Sequence, residues 1–318
     1  MKRRDILLSS LAAAWAGHSL AQIGGAPVRI LVGAPAGGST DTLARSLAVS
    51  MGPALGRNVI VENKPGAGGN IAADAVAKAA PDGNTLLMSF TSHAINATLY
   101  PSLPFDPVKD FTALTCVATS PSILVAHPSL PAKDVRELIA LAKAKPGQLN
   151  FAIGAVGSSL HMAGEAFKMQ SGVDIVNIPY KGTSPAVQDV LAGQVQLMFA
   201  AVGNVKAHIQ AGKLKALGVT TAKRLPAFPE VPAIAEALPG YESSAWFGLF
   251  GPARMPAERI KQIGDAARHA LQQADMRQRL EIEGTIPVGN SSEQFSAFVQ
   301  SEIVRWAKVV KFSGAKPE

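Results

Sequence analysis

One unit recurs along the chain from Val28: a short apolar run, a turn rich in Gly or Ser, then apolar residues at helical spacing. This alternation constrains the fold more than any other feature, because it is the pattern of a sheet whose strands are joined by helices packed on its faces. Val28-Arg29-Ile30-Leu31-Val32 is strand-like, residues 33–40 form a turn, and Leu43, Leu47 and Met51 share one helical face until Gly52-Pro53 ends it. A second unit runs through Val59-Ile60-Val61, the turn Gly66-Ala67-Gly68-Gly69-Asn70, and an alanine-rich helix over residues 71–80 that Pro81 stops. A third strand over residues 85–88 leads into Ser89-Phe90-Thr91-Ser92-His93.

The pattern restarts after Pro121 with Ile123-Leu124-Val125-Ala126, a helix over residues 132–145 and the stop Pro146-Gly147. Further strands are expected at residues 149–153, 174–178, 195–199 and 214–220, with helices between them. Pro226, Pro229, Pro232 and Pro239 mark an irregular connection, and residues 246–250 form a return strand. Beyond it, Ile260, Ile263, Ala267 and Leu271 make one helical stripe, and Phe295, Phe298, Val299, Ile303, Trp306 and Val310 another. Ser291 and Gln294 have capping-box spacing ahead of the second stripe. These helices are expected to pack the first domain, so the 318 residues divide into residues 22–122 and 246–318 as one domain and 123–245 as the other.

The chain is 47% hydrophobic and 17% charged, which argues against disorder and against a coiled coil. Its formal charge of +7 is partly local to the start, where Lys2, Arg3 and Arg4 precede an apolar run and Ser19-Leu20-Ala21. That is the layout of a cleavable secretory signal over residues 1–21, with Sec and twin-arginine export both open. Its removal takes away Lys2, Arg3, Arg4 and Asp5 and leaves +5, which makes no case for nucleic acid. Cys116 is the sole cysteine, so an exported chain has no internal disulfide, and no lipidated cysteine follows the signal. The expectation is a soluble periplasmic protein with no membrane insertion of the mature chain.

Turns at residues 35–41, 90–96, 154–159 and 181–185 each follow a strand and open a helix. A helix start offers unpaired N–H groups and the positive end of the peptide dipoles, so such turns bind carboxylates without basic side chains. In open α/β sheets they gather at the carboxyl ends of the strands. The enzyme motifs fail in turn. The run from Gly33 to Thr40 lacks the P-loop lysine, with Ser39 in its place, and Ile71 stands where a dinucleotide fingerprint needs its last glycine. His161 takes the final glycine position of a nucleophile elbow around Ser159, so a hydrolase using Ser158 and His161 is a minor alternative. His93, His127, His161, His208 and His269 are too scattered for a metal site, and no cofactor is implied.

Gly33-Ala34-Pro35-Ala36-Gly37-Gly38-Ser39-Thr40-Asp41, Val61-Glu62-Asn63-Lys64-Pro65-Gly66-Ala67-Gly68-Gly69 and Pro81-Asp82-Gly83 together resemble the Bug family, the solute-binding receptors of tripartite tricarboxylate transporters. Gly157-Ser158-Ser159-Leu160-His161, Pro179-Tyr180-Lys181-Gly182 and Pro229-Glu230-Val231-Pro232 agree with it. The resemblance implies an α/β, two-lobed periplasmic binding fold of the type II, Venus-flytrap kind, each lobe a mostly parallel sheet flanked by helices. It implies a monomer without catalysis that closes over a small organic carboxylate and delivers it to a membrane permease of one large and one small subunit. An alternative partner is a membrane sensor kinase.

The resemblance maps ligand contacts to Pro35, Ala36, Gly37, Gly38, Ser39, Thr40 and Asp41 of the first domain, and to Gly157, Ser158, Ser159 and His161 of the second. Tyr180, Lys181, Gly182 and Thr183 are expected nearby, and the third turn adds Thr91, Ser92 and His93. Family members often carry an aromatic where Ala34 stands and an acid where Ala200 stands. Both departures point to a larger carboxylate without an amine, such as an aromatic acid or a longer dicarboxylate.

Overall fold

The computed structural model describes residues 25–317, so the expected signal segment over residues 1–21 lies outside the described residues. β1 (Val28–Val32) is buried on both faces: Ile30 and Val32 enter one core and Leu31 another. A strand covered on both sides must be apolar throughout, as this one nearly is. It is flanked in parallel by β2 (Val59–Asn63) and β3 (Thr85–Phe90). The connections are α1 (Ser39–Leu55) and, after a 3-10 turn at Ala67–Gly69, α2 (Asn70–Ala77). α3 (Ser92–Leu99) follows β3.

β4 (Phe111–Ala126) is 16 residues long and belongs to both lobes. Beyond it come α4 (Val135–Ala144), β5 (Asn150–Ile153), α5 (Ser159–Ser171), β6 (Val176–Pro179) and α6 (Thr183–Leu191). β7 (Leu197–Ala201), α7 (Val202–Gln210) and β8 (Lys215–Val219) complete the second lobe, and β9 (Ser244–Pro252) returns to the first. There the chain ends with α8 (Ala257–Ala270), α9 (Ala274–Ile282), the short β10 (Ile286–Pro287) and α10 (Ser292–Ser313).

The strand order is β2-β1-β3-β9-β4 in the first lobe, with β10 on the far side of β4. In the second it is β8-β4-β7-β5-β6. The sheet is mixed rather than mostly parallel: β1, β2 and β3 are parallel, as are β5, β6 and β7, while every pairing made by β4 or β9 is antiparallel. The reason is topological, since one strand carries the chain out of the first lobe and the other brings it back. The sequence pattern restarts at Pro121, but β4 runs through it. Pairing with β9 ends at Pro121 opposite Ser244, and pairing with β7 begins at Ser122 opposite Ala201. A residue without an N–H is tolerated where a strand changes partners.

A buried knot of hydroxyls closes this crossing. Thr220 N donates to Ser122 O at 2.9 Å, Ser122 N donates to Thr220 Oγ1 at 3.0 Å, and Ser243 N donates to Thr220 O at 2.9 Å. The C-terminal stripes form as expected, and Ser291 and Gln294 make the capping box. α8 lies against α1 and β4, but α10 reaches further than the first lobe, packing on β4 and α3 and also on α5 of the second. One core accordingly runs from Leu31 and Ile95 through Trp246, Phe295 and Trp306 to Phe151 and Phe167. Within it the buried Glu302 accepts from Trp246 Nε1 at 3.0 Å and from Trp306 Nε1 at 2.8 Å, so its charge does not lie unpaired in an apolar layer. Among the described residues no helix is long and apolar enough to cross a membrane.

Candidate functional site

The turn between β1 and α1 is shaped by close backbone packing. A Cβ on Gly33 would lie 2.6 Å from Gly69 Cα, so only glycine lets the first and second turns of this lobe meet. Gly37 sits at φ 81° and donates its N–H to Asp41 Oδ2 at 2.8 Å. Asp41 is buried and also accepts from Asn63 Nδ2 at 2.9 Å and Arg45 Nε at 3.0 Å. Burial by itself would raise its carboxyl, but the bonds from Arg45, Gly37 and Asn63 outweigh it and hold the group below the usual carboxylate range. Pro35, Ala36, Gly37, Gly38 and Ser39 are exposed, Thr40 is buried, and α1 starts at Gly38 without a side-chain cap. Its first N–H groups are therefore offered outward.

The turn between β5 and α5 repeats the plan. A Cβ on Gly154 would lie 3.0 Å from Thr183 N, which locks this turn to the one that opens α6. Gly157 has φ 74°, and its N–H reaches His161 Nδ1 at 3.0 Å. Ser158 Oγ donates to Ala155 O at 2.9 Å and accepts from His161 N at 3.2 Å, capping α5. The His161 ring is buried, with Nε2 3.2 Å from Asn177 Nδ2 and 3.5 Å from Glu165 Oε1. Glu165 in turn takes Asn177 Nδ2 at 2.6 Å and Lys168 Nζ at 2.6 Å. Its burial pushes the carboxyl up, and hydrogen bonds from His161, Asn177 and Lys168 bring it below its ordinary value.

Between the lobes lies a cavity of about 360 Å³. Ala67, Gly68, Phe90, Ser92 and Asn96, with Leu99 and Tyr100, form its first-lobe wall; Ala155, Val156, Gly157 and Ser158 form the other, and Pro317 completes the lining. The lobes touch beside it, because a Cβ on Gly157 would collide with Leu99 Cδ2. Of the residues expected from the sequence, Ser92, Gly157 and Ser158 line this cavity. Pro35 to Asp41 are not among the lining residues, and their turn adjoins the loop of Gly68 and Gly69 through Gly33; Gly182 and Thr183 pack against Gly154. Ser159 follows Ser158 half-buried at the start of α5, and Lys181 is exposed.

Several expected contacts have other employment. Thr91 Oγ1 accepts from Trp246 N at 2.8 Å inside the first lobe. His93 is turned into the core, stacked 4.9 Å from Phe250 beside Phe105 and Phe111, with Nε2 at 2.8 Å from Pro107 O. Burial drives it down to about 4, so the ring is neutral. Tyr180 donates its hydroxyl to Asp189 at 2.7 Å, and burial with that carboxylate raises it to about 12. Ala200 is also not a wall of the cleft: it is fully buried in the second-lobe core with Ile123 and Met198, because alternate residues of β7 face opposite sides.

Phe90, Ser92 and Asn96 of the first-lobe wall belong to the expected 90–96 turn, whereas Ala67 and Gly68 come from a loop not expected at the site. Gly66-Ala67-Gly68-Gly69-Asn70 obeys the same strand, glycine, helix rule, and failing a dinucleotide fingerprint does not stop it from building a cleft. Asn96 Nδ2 holds that loop by donating to Gly68 O at 3.1 Å and Asn70 Oδ1 at 2.9 Å. Among the described residues no three His, Cys, Asp or Glu side chains converge to hold a metal.

The sequence profile of the family described as "Tripartite tricarboxylate transporter family receptor" matches residues 43–314. Protein BugT of Bordetella pertussis is 39% identical over 293 residues, covering 91% of this chain and 90% of BugT. Rpa4515 of R. palustris, solved with adipate, shares 36% identity at a TM-score of 0.78, over 92% of this chain and 98% of that one. MatC from Rhodopseudomonas palustris, solved with bound malate, shares 35% identity at a TM-score of 0.75, over 89% and 98%. This chain therefore belongs to the tripartite tricarboxylate transporter family of receptors, the Bug proteins.

Proposed function

We propose that the protein is a periplasmic receptor that captures a small organic carboxylate between its lobes and delivers it to a membrane permease of one large and one small subunit. The observation that carries this reading is the cavity wall: residues from both lobes meet there, and none of them carries a charged side chain. An anion in such a site is held by backbone N–H groups and helix starts, which cost no side-chain desolvation when the site is empty. The exposed Pro35, Ala36, Gly37, Gly38 and Ser39, with Ser159, Lys181, Gly182 and Thr183, are proposed as the further ligand-facing groups of the cleft.

The ligand is proposed to lack an amine and to carry an apolar segment. Phe90, Leu99 and Val156 offer apolar surface, while the lining holds no Asp or Glu to pair with an ammonium. Adipate and malate in the two related structures are both amine-free dicarboxylates, and adipate also carries an apolar segment. The lobes are proposed to divide at Pro121 and Ser122 on the way out and between Thr220 and Ser244 on the way back, with residues 1–21 as the export signal. Ligand contacts both lobes only when they meet, so binding shifts the open and closed populations, and a micromolar Kd corresponds to about −8 kcal/mol.

The experiment is a thermal-shift and calorimetric series with adipate, malate, benzoate, aspartate and glutamate. A ligand at one hundred times its Kd adds about 2.7 kcal/mol to folded-state stability and raises Tm. The expected outcome is binding of one or more of the amine-free acids and weaker binding of both amino acids. Tightest binding of aspartate or glutamate contradicts the amine-free assignment, and silence across a wide panel of organic acids contradicts the receptor reading.

A further inference from the structure

The two turns are held by one device used twice. In each, a glycine in the left-handed region donates its N–H to the side chain four residues on: Gly37 to Asp41 at 2.8 Å and Gly157 to His161 at 3.0 Å. In each, an asparagine from the neighbouring parallel strand reaches the same cluster, Asn63 from β2 and Asn177 from β6. In each, a charged residue one helical turn further along engages the acceptor: Arg45 with Asp41 and Glu165 with His161.

We infer that His161 is a positioning residue that holds the ligand turn through the Gly157 amide, and that the Glu165 carboxylate facing its other nitrogen favours the ring tautomer in which it can do so. This rests on the receptor reading for the identity of the turn as ligand-binding. Because Gly157 N–H is a donor, Nδ1 must be the bare nitrogen of the ring. The ring proton then sits on Nε2, facing Glu165 Oε1 at 3.5 Å. Asn177 Nδ2 donates to the same carboxylate at 2.6 Å and lies 3.2 Å from Nε2 as a second donor, so it positions Glu165 but takes no proton from the ring; the tautomer rests on Gly157 N–H and the Glu165 carboxylate. A second proton on the ring would set two donors against each other at Gly157. His161 therefore does not spare a nitrogen for the ligand; it supports Ala155, Val156, Gly157 and Ser158, which line the cavity. Lys168 extends the brace by donating to Ile175 O at 3.2 Å, tying α5 to the entry of β6.

Nitrogen-15 NMR of the ligand-free full chain tests this without any ligand. The expected spectrum has His161 protonated on Nε2 only, and a Gly157 amide that exchanges slowly with solvent. His161→Ala is expected to speed that exchange about tenfold while the strand amides stay protected. His161→Asn, whose Oδ1 lies where Nδ1 was, is expected to restore most of it. With adipate as the probe, His161→Ala is expected to weaken binding about fivefold, the effect of one lost hydrogen bond, and His161→Asn to recover it. A proton on Nδ1, or a Gly157 amide indifferent to His161→Ala, overturns the assignment, and the ring spectrum of the wild type decides it even if the alanine variant fails to fold. If the wild type binds no organic acid while the exchange pattern stands, the receptor reading fails and the bracing of the turn by His161 is upheld.

Discussion

The first-lobe turn and the second-lobe turn perform the same backbone task with opposite electrostatics. In the first, the acceptor for the glycine amide is the charged Asp41, balanced by Arg45, which is half exposed. In the second it is the neutral ring of His161, and the charges stand one step back, on the buried Glu165 and Lys168. A buried carboxylate next to a turn repels an anion, whereas an uncharged imidazole does not. The difference suggests a division of labour: the His161 turn borders the cavity through Gly157 and Ser158 with a neutral acceptor, while the charge of Asp41 is offset by three donors.

The largest effect should come from testing the two glycines against each other. Gly157→Ala imposes both a left-handed backbone and a collision with Leu99, so it is expected to weaken organic-acid binding by at least about tenfold, the equivalent of 1.4 kcal/mol. Gly37→Ala has φ 81° but open space around its Cβ, so calorimetry should find only the cost of backbone strain, about 1 kcal/mol of stability. Equal losses of affinity in the two variants would mean that the contact between lobes at Leu99 is irrelevant to binding.

Next in size is Asp41→Asn, expected to lower stability at neutral pH by about 1–3 kcal/mol by unbalancing a buried hydrogen-bonded charge. The folded-state pKa of Asp41 is depressed, so its contribution is complete above the unfolded value of about 4 and fades as pH falls through the lower folded value. Denaturant melts of the wild type and Asp41→Asn should therefore converge in acid. A gap that persists far below pH 4 would show that the carboxylate charge is not what holds the first turn.

These clamps also show what could be read without coordinates. The strands, the glycine turns and the capped C-terminal helix were legible because each depends on local chemistry: alternating burial, positive φ, a serine three residues before a glutamine. The passage of β4 through Pro121 was not, since it depends on which partner the strand has on either side of that residue. Nor was the reach of α10 onto α5, because its stripe records only that it is buried and not against what. His93 and His161 looked like cleft residues from their position in the chain. Their rings turn inward because Pro107 O, Gly157 N and Asn177 are there to meet them, and those partners are set by tertiary packing.

Ser158→Ala probes the second turn at a lower level. It removes the cap of α5 and is expected to reduce stability by about 1 kcal/mol, with a matching fall in Tm. No counterpart exists at Gly38, where the first-lobe helix has no side-chain cap to lose. Thr220→Val should have the smallest effect on affinity, since it alters neither turn, although taking the acceptor from the buried Ser122 N–H is expected to cost about 1–3 kcal/mol of stability. Calorimetric Kd values that rank these two variants above Gly157→Ala in lost affinity would reverse the proposed order.

The central claim is that one carboxylate ligand is gripped from both lobes at once. Titrating an acid that binds into nitrogen-15-labelled protein, and following the backbone amides, tests it directly. Amides of residues 37–40 and of residues 157–160 are expected to shift together and saturate with a single Kd. Shifts confined to one lobe, or two groups saturating at different concentrations, would contradict it.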